Sequence, residues 1–447
     1  MPASRLPARM FAGRPVLARL VENVGWLVLE RTVPMATGFV VSAVFVRYLG
    51  PTRFGLYSYA VSFAVIFGTL AALGMDSVVV RDLTRCPDRE GEILGTALTL
   101  RIGAALVLWI GAIAAVVHLR DDALTRVLVA ILAAQSVATA LNVFECWFQA
   151  HIAARPMVIV RTSIALLGQL GRVILVLCSA SLPAFAVLAA GAMVLSSALV
   201  WLLFARATRQ RLTFAPACAR QFAHDGWPLL VVGISIMVYM RIDQLMLTAM
   251  AGERENGIYA TAVMLSELWY FLPMAVAGSV FPLIVKAHDS EDPQRFQEKL
   301  QLFYDAMVGL GYAIAVPVFA FAGPIVKLLY GSAYAGSAAV LRVHVASLVF
   351  VCVGFARGQY LIARNETRFS MIASLLAAVV NVLLNLALIP AYGALGAAWA
   401  TLLSYAVANY ASGLLARRLW MQTWMLSRSL AVPLRPALLW RGLAVRR

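Results

Sequence analysis

At residues 26–62 the sequence reads WLVLERTVPMATGFVVSAVFVRYLGPTRFGLYSYAVS. Its first apolar run has about 20 residues, the length that a helix needs to cross a hydrocarbon core of about 30 Å. The chain then turns at Gly50-Pro51, and a second apolar run starts at Phe54. Glu30 and Arg31 lie inside the first run, where each charge costs about 2.5–3.5 kcal/mol near the centre of a membrane helix. This pattern predicts a helical hairpin in a membrane, with a protein or water interior for the two charges.

The composition extends this prediction to the whole chain. Of its 447 residues 62% are hydrophobic and 13% are charged, with a mean hydropathy of +0.84. A soluble domain carries about 25% charged residues. The apolar runs lack the period-two alternation of a membrane barrel, so they favour helices. We therefore predict an all-α integral membrane protein. The net charge of +16 is spread over short loops, which indicates membrane topology rather than nucleic-acid binding.

The chain contains twelve apolar runs, which predict about twelve transmembrane helices. They lie near 26–48, 56–75, 97–118, 125–149, 159–178, 184–204, 226–250, 257–285, 304–322, 337–356, 369–390 and 394–416. The tails and alternate loops on one side carry 27 Lys and Arg, whereas the loops on the other side carry 7. By the positive-inside rule, both termini are expected in the cytoplasm.

An internal repeat divides the predicted spans into two sets of six. Gly50, Gly55 and Tyr57 recur 202 residues later as Gly252, Gly257 and Tyr259. We therefore predict two pseudo-symmetric six-helix bundles, with a substrate site between them near the bilayer midplane. The expected segments are a cytoplasmic amphipathic segment at 1–25, bundles at 26–204 and 226–416, a cytoplasmic linker at 205–225 and a basic cytoplasmic tail at 417–447.

The two sides account for 34 of the 37 Lys and Arg, and the three left inside the spans are Arg31, Arg172 and Arg241. Facing lipid, they would together cost on the order of 8–10 kcal/mol, so they must face a cavity or a partner. One interpretation is a cationic cavity in which the guanidinium groups bind a phosphate or pyrophosphate. The alternative is ion pairing with intramembrane acids. Because Arg241 and Asp243 are two residues apart on a helix, they are expected to have separate partners.

The acids inside or beside the spans have two interpretations as well. They are either proton or cation sites driven by a proton or sodium gradient, or ion-pair partners of the arginines. The four acids are Glu30, Glu145, Asp243 and Glu267. Some aromatic residues near them are candidates for stacking on sugar rings, or else they anchor the helices at the membrane interface. These are Trp147, Tyr239, Trp269 and Tyr270.

No motif in the sequence indicates catalysis. It contains no P-loop, no GxSxG and no HExxH, so we expect a protein that is not an enzyme, uses no bound cofactor or metal and is not driven directly by ATP. The five cysteines lie far apart and are interpreted as packing residues. Asp76, Arg81 and Asp82 follow the second span, where a solvated loop is expected.

Three motifs resemble one known family. They are VFVRYLGPTRFGLYSYA at 44–60, LGMDSVVVRDLTR at 73–85 and the long stretch GQYLIARNETRF…GALGAAWATLLSY at 358–405. FECWFQ at 144–149 is also similar to the end of the family's fourth helix. These residues resemble the polysaccharide transporter or oligosaccharide flippase family. Its superfamily also contains the multidrug/toxin extruders and the lipid II flippase.

The resemblance implies a V-shaped molecule of twelve helices in the bacterial inner membrane. It implies translocation of a polyprenyl-pyrophosphate-linked oligosaccharide for O-antigen of lipopolysaccharide, capsule or exopolysaccharide. The head group would bind the cavity arginines, and the expected partners are membrane lipids, a polysaccharide polymerase and chain-length proteins, with no nucleic acid. Two alternatives stay open. One is an ion-coupled multidrug extruder, and the other is a membrane sugar polymerase or ligase, which would need a large outer loop.

Overall fold

The computed structural model describes residues 15–208, 210–288, 293–364 and 366–434. These residues form α-helices and short 3-10 helices joined by brief turns, and no strand occurs among them. The predicted all-α class is confirmed. This helical class follows from the long apolar runs of the chain, because a helix satisfies its own backbone hydrogen bonds where water is absent.

The helices up to Ala251 occupy the first half of the chain. They are α1 (Pro15–Ala71), α2 (Asp76–Arg85), α3 (Glu90–Leu119), α4 (Ala123–Ala133), α5 (Gln135–Thr139), α6 (Val143–Ala150), α7 (Ala154–Leu177), α8 (Leu182–Ala207) and α9 (Pro216–Ala251).

Seven helices follow in the second half. They are α10 (Glu253–Glu267), α11 (Phe271–His288), α12 (Pro293–Ala320), α13 (Ala322–Tyr330), α14 (Ser337–Ala363), α15 (Thr367–Asn409) and α16 (Trp420–Leu430).

Ten helical ranges among the described residues are long and apolar enough to cross a membrane. Two of these ranges each contain two of the predicted spans. α1 is interrupted at Gly50 (φ 70°, ψ 169°), and α15 is interrupted at Gly393 (φ 54°, ψ −131°). Both interruptions fall between predicted spans, so the ten ranges account for the twelve predicted helices.

The chain packs into two compact units. The first holds residues 15–48 and 60–234, and the second holds residues 49–59 and 235–434, among those described. In the first unit, Val79, Leu94 and Phe144 are fully buried in one apolar cluster. In the second unit, the largest fully buried side chains are tyrosines, Tyr259, Tyr304 and Tyr334. The domain boundaries expected from the sequence stay a prediction.

Within the second unit, residues 49–59 pack on residues 252–259, and we call these two segments the paired tips. Gly50 and Gly252 have similar positive φ angles of 70° and 91°, which glycine adopts without the cost that a side chain brings. Asn256 Nδ2 donates a hydrogen bond of 2.8 Å to the carbonyl oxygen of Gly55.

The contact between the paired tips is reciprocal. A Cβ atom at Gly55 would overlap the carbonyl oxygen of Glu253, and one at Gly257 would overlap the carbonyl oxygen of Pro51. Pro51 and Glu253 are themselves 202 residues apart, the offset of the sequence repeat. Two equivalent segments that contact each other through equivalent atoms form an isologous contact. The repeat predicted from the sequence is therefore confirmed at these segments.

Two expectations from the sequence are wrong. Residues 76–85 form helix α2 rather than a solvated loop, and it is held by ion pairs from Arg101 to Asp76 (2.6 Å) and from Arg81 to Asp225 (2.7 Å). The charged side chains of this segment thus join α2 to α3 and α9, while Asp76 itself stays 65% exposed. Packing does not explain all five cysteines either, because Cys86 and Cys178 are exposed.

Candidate functional site

A cavity of about 340 Å³ lies within the first unit. It is lined by α5, α6, α7, α8 and the 3-10 helix Ala140–Asn142, and its wall combines apolar side chains with amide and charged groups. The lining residues are Gln135, Asn142, Glu145, Arg161, Ile164, Ala165, Gly168, Gln169, Arg172, Leu188, Ala189, Ala192, Met193 and Ser196.

Helix α7 supplies the charged side of this cavity. Arg161, Ala165, Gly168 and Arg172 recur every three or four residues, so they share one face of the helix. The small residues in the middle leave room between the two arginines. The arginines therefore lie at two levels along one cavity wall.

Arg161 holds two carboxylates at once. Its Nε lies 3.1 Å from Glu30 Oε1, and its Nη1 lies 2.9 Å from Glu145 Oε2. Both acids are largely buried, since their side chains are 18% and 14% exposed, whereas Arg161 is 40% exposed. The group of three carries a net charge of −1. The predicted ion pairing of these two acids is found, and among the described side chains their partner is Arg161.

The sequence reasoning missed Arg161 because it counted this residue among the bases of the loop before the fifth span, although the predicted span at 159–178 already includes it. Helix α7 starts at Ala154, so Arg161 is about two turns inside it. Arg357 also lies inside a helix, α14, that is longer than the predicted span at 337–356. The available signal was the 11-residue separation of Arg161 and Arg172, about three helical turns, which places both on one face.

Arg172 lines the same cavity, but its contacts differ from those of Arg161. Its Cζ lies 5.9 Å from the ring centroid of Phe45, a cation–π distance, and no described side chain forms an ion pair with it. A guanidinium group has five N–H donors in a planar fork that matches phosphate or carboxylate oxygens. Arg172 is therefore the cavity residue best able to receive an anionic group.

Amide side chains offer further hydrogen bonds beside Arg172. Gln169 Oε1 is buried and has no hydrogen-bond partner among the described residues. Its side chain fills the space over Gly38, where a Cβ would lie 2.7 Å from Gln169 Nε2. A buried polar atom without a partner costs about 1–3 kcal/mol, so a ligand hydroxyl that donates to this oxygen in the cavity would offset that cost. Gln135 and Asn142 add two more amides to the wall. The sequence reasoning did not consider these amides, although each is a polar residue inside an apolar run.

Arg241, another of the three predicted arginines, forms an ion pair within the second unit. Its Nη2 lies 2.9 Å from Glu267 Oε2. Asp243, two residues further, contacts other groups, so the prediction of separate partners is confirmed. The side chain of Arg31 lies outside the described residues. The convergence of all three arginines on one site stays a prediction.

Asp243 forms a buried polar cluster in the second unit with only neutral donors. Its side chain is 1% exposed and accepts hydrogen bonds from the hydroxyl of Tyr259 and from Thr401 Oγ1 (3.0 Å). The backbone N–H of Gln244 donates a third at 2.8 Å. His344 is also buried here, its ring 6.0 Å from that of Tyr259. A carboxyl group in this setting can hold a proton or a small cation. Among the described residues, no cluster of His, Cys, Asp and Glu has the arrangement of a metal site.

The predicted sugar-stacking residues do not line the cavity of the first unit. Trp147 Nε1 donates to Glu90 Oε2 (2.9 Å), and its ring stacks on His151 at 4.3 Å. Tyr239 and Tyr270 pack edge-on against Tyr405, with ring centroids 5.4 and 6.4 Å away. Trp269 is half-buried in the short turn before α11. Sugar stacking by these residues stays a prediction.

Two solved structures share the fold over nearly the whole chain. An inward-facing multidrug resistance MATE family transporter of the MOP superfamily is 16% identical, with a TM-score of 0.69 over 91% of this chain and 99% of that one. The lipid II flippase MurJ, in an inward closed conformation, is 14% identical, with a TM-score of 0.64 over 92% of this chain and 91% of that one. Both similarities establish the fold.

Sequence comparisons agree with this fold. A curated relative, the probable low-salt glycan biosynthesis flippase Agl15 of Haloferax volcanii, is 26% identical over 151 residues. This match spans 34% of the present chain and about a third, 32%, of that relative. The MatE family matches residues 228–387, and the polysaccharide biosynthesis protein family matches residues 20–288. The resemblance noted in the motifs is confirmed, and the chain belongs to the polysaccharide biosynthesis protein family.

Proposed function

We propose that the protein is a flippase for polyprenyl-pyrophosphate-linked oligosaccharide repeat units. It moves them from the cytoplasmic to the outer leaflet of the bacterial inner membrane for assembly of O-antigen, capsule or exopolysaccharide. Both termini lie in the cytoplasm, and a polysaccharide polymerase and chain-length proteins act on the product. The protein lowers a barrier and forms no covalent bond.

One observation carries this proposal: Arg172 lies in a polar cavity without an ionic partner among the described residues. An arginine in a membrane helix is costly, so an unpaired one indicates a ligand of opposite charge. The glycan flippase Agl15 and the lipid II flippase MurJ support the substrate class by analogy.

The cavity would act by replacing water around the head group. Each polar group that enters lipid without a hydrogen bond costs several kcal/mol, so the head group needs a polar route. Arg172 receives a phosphate of the pyrophosphate, while Gln135, Asn142 and Gln169 hydrogen-bond to sugar hydroxyls. Arg31 and Arg241 are further candidates for the same anion. Arg241 would contribute only after its pair with Glu267 opens.

Asp243 is the proposed coupling site for a proton or sodium gradient. Its three hydrogen-bond donors are neutral, so a proton or a monovalent cation is the species that would balance its charge. Binding of that cation in one conformation and release in the other would bias the cycle. Glu30 and Glu145, which share Arg161, are the alternative coupling acids in the first unit.

The test is the replacement of Arg172 in a cell that depends on this gene for its surface glycan. Arg172→Gln should reduce glycan export at least about tenfold, the cost of one charge-assisted hydrogen bond to phosphate, and should accumulate lipid-linked units on the inner leaflet. Arg172→Lys should keep part of the activity because it retains the charge. Arg220→Gln, at an exposed arginine of α9, is the matched control. Normal export by Arg172→Gln at native expression would exclude this mechanism.

A second candidate function is ion-coupled multidrug extrusion. The MatE match at residues 228–387, which includes Asp243, favours it. Overexpression in a drug-sensitive strain distinguishes the two functions, because a glycan flippase should leave resistance to cationic drugs unchanged. A rise in resistance that Asp243→Asn abolishes would favour extrusion.

A further inference from the structure

The last described α-helix, α16 (Trp420–Leu430), lies outside the ten ranges able to cross a membrane. It has 11 residues and follows the long apolar helix α15, which ends at Asn409. At about 1.5 Å per residue, α16 is too short to span a bilayer. Its place is therefore beside the end of a membrane helix.

Polar contacts fix one face of α16 to α12 in the second unit. Gln422 Nε2 donates to the hydroxyl of Tyr304 (2.8 Å), and Ser429 Oγ donates to Asp305 Oδ1 (2.6 Å). Gln301 Nε2 donates to Ser429 Oγ (2.8 Å). Gln422 and Ser429 are buried, so these hydrogen bonds set the rotation of the helix about its axis.

The opposite face of α16 is apolar and exposed. Trp420, Met421 and Trp424 are 53%, 56% and 63% exposed. The buried side of α16 also holds the apolar Met425 and Leu426, so apolar side chains lie on both sides of the helix, whereas a soluble surface helix exposes polar ones. The packing on α12 leaves the rings of both tryptophans exposed, while Trp420 Nε1 donates a hydrogen bond of 2.8 Å to the carbonyl oxygen of Leu414.

Two arginines continue this exposed face. Arg417 and Arg428 are exposed, and they stand three residues before Trp420 and four residues after Trp424. Neither forms an ion pair with a described residue, whereas the neighbouring Arg418 pairs with Glu366 at 2.9 Å. The Cζ of Arg417 lies 5.9 Å from the ring of Trp420, so charge and aromatic surface are adjacent.

We propose that the face made by Trp420, Met421, Trp424 and Arg428 of α16, together with Arg417 of the preceding 3-10 helix (Arg417–Leu419), binds the head-group layer of anionic phospholipids. Tryptophan is enriched at the membrane interface, where its apolar ring and polar N–H both find suitable surroundings. A short helix with tryptophan and basic residues on one face lies in the plane of that interface. The two unpaired arginines select anionic over zwitterionic lipids, since each base near such a surface gains about 1 kcal/mol, roughly fivefold.

A protein partner fits this face less well. A second copy of the chain would place Arg417 and Arg428 near the same residues of its neighbour, and this face carries no carboxylate to pair with them. Anionic lipid supplies the missing charge and is present wherever α15 crosses the membrane. The proposal does not depend on what the protein transports.

The experiment uses the full-length protein in lipid nanodiscs. Phosphatidylcholine discs contain brominated phosphatidylglycerol or brominated phosphatidylcholine at the same mole fraction, and tryptophan fluorescence is recorded. The signal of Trp424 is the difference between the unchanged protein and Trp424→Phe. Brominated phosphatidylglycerol should quench this signal at least about twofold more strongly than brominated phosphatidylcholine does.

Three comparisons control this measurement. Arg417→Gln with Arg428→Gln should bring the two quenching values together, whereas the corresponding pair of Lys variants should keep them apart. The Trp399→Phe difference reports an exposed tryptophan of α15 and should show equal quenching by both lipids.

Two results would overturn the proposal. Emission of Trp424 that neither lipid quenches means that protein or water covers this face, and a cross-link between copies at residue 424 would identify the former. Equal quenching by both lipids in the unchanged protein means that the face touches lipid without selecting anionic head groups. Both results come from the unchanged protein and Trp424→Phe, so they do not require the arginine variants to fold.

Discussion

The two compact units differ at the arginines that the sequence singled out as cavity cations. In the first unit, Arg161, Glu30 and Glu145 form one group, and Arg172 lies in the same cavity without an ionic partner among the described residues. In the second unit, Arg241 is paired with Glu267. Of these predicted arginines, Arg172 lines a cavity without an ionic partner among the described residues, and Arg241 is held in an internal ion pair.

The charged residues inside the helices are not conserved between the two copies of the sequence repeat. At the offset of 202 residues, Tyr259 corresponds to Tyr57, but its partner Asp243 corresponds to Val41. The glycines of the paired tips recur, whereas the acid does not. Shared positions in the repeat thus encode the backbone path, and positions that differ encode the chemistry of each unit.

The largest effect is expected at the paired tips, where the second unit has no spare space. Gly257→Ala would place a Cβ on the backbone oxygen of Pro51, and backbone cannot move aside as a side chain does. We expect a loss of about 3 kcal/mol or more in the free energy of unfolding, measured by denaturant titration in detergent.

Gly68→Ala in α1 is the matched control, because a Cβ there meets no atom within 4 Å. It should be neutral or slightly stabilising, since alanine favours a helix by about 0.5–1 kcal/mol over glycine. Equal stability of the two variants would show that the tips do not pack as described.

A smaller effect is expected at the ion pair of the second unit. Arg241→Gln leaves Glu267, 18% exposed, without its partner, and partial exposure reduces the cost of about 3–5 kcal/mol known for fully buried pairs. We expect a loss of about 1–3 kcal/mol in the free energy of unfolding. The same change at Arg172 should alter stability by less than about 0.5 kcal/mol, since it breaks no ion pair.

The double variant Arg241→Gln with Glu267→Gln tests the reason for this loss. It should recover most of the stability, because it leaves no unpaired charge in the helix. If Arg172→Gln were the more destabilising of the two single arginine variants, the contrast between the units would be wrong.

The smallest effect is expected from either acid of the first unit alone. Glu30→Gln or Glu145→Gln leaves one carboxylate on Arg161, so each should change the free energy of unfolding by less than about 1 kcal/mol. The double variant removes both partners and should cost more than the sum of the two, as measured in a double-mutant cycle. Strict additivity would mean that Arg161 does not bridge the two acids.

The local sequence predicted where the helices lie but not where they begin and end. The apolar runs located all twelve predicted spans, since about 20 apolar residues have no other way to satisfy their backbone in lipid. They could not show that α7 begins at Ala154, because charged residues within a helix look like loop residues in a hydropathy pattern. Arg161 was overlooked for that reason.

What the amino-acid sequence by itself determined is the class of protein, its repeat and the presence of costly charges in apolar helices. Each of these depends on composition or on spacing along one helix. Only the tertiary structure decided that Glu30 and Glu145 meet on Arg161, that Arg241 is neutralised by Glu267 and that Arg172 faces a cavity. These pairings join residues on different helices, and hydropathy carries no information about which helix faces touch. The physical reason is that a charge in a membrane helix requires a partner, but the fold selects which one.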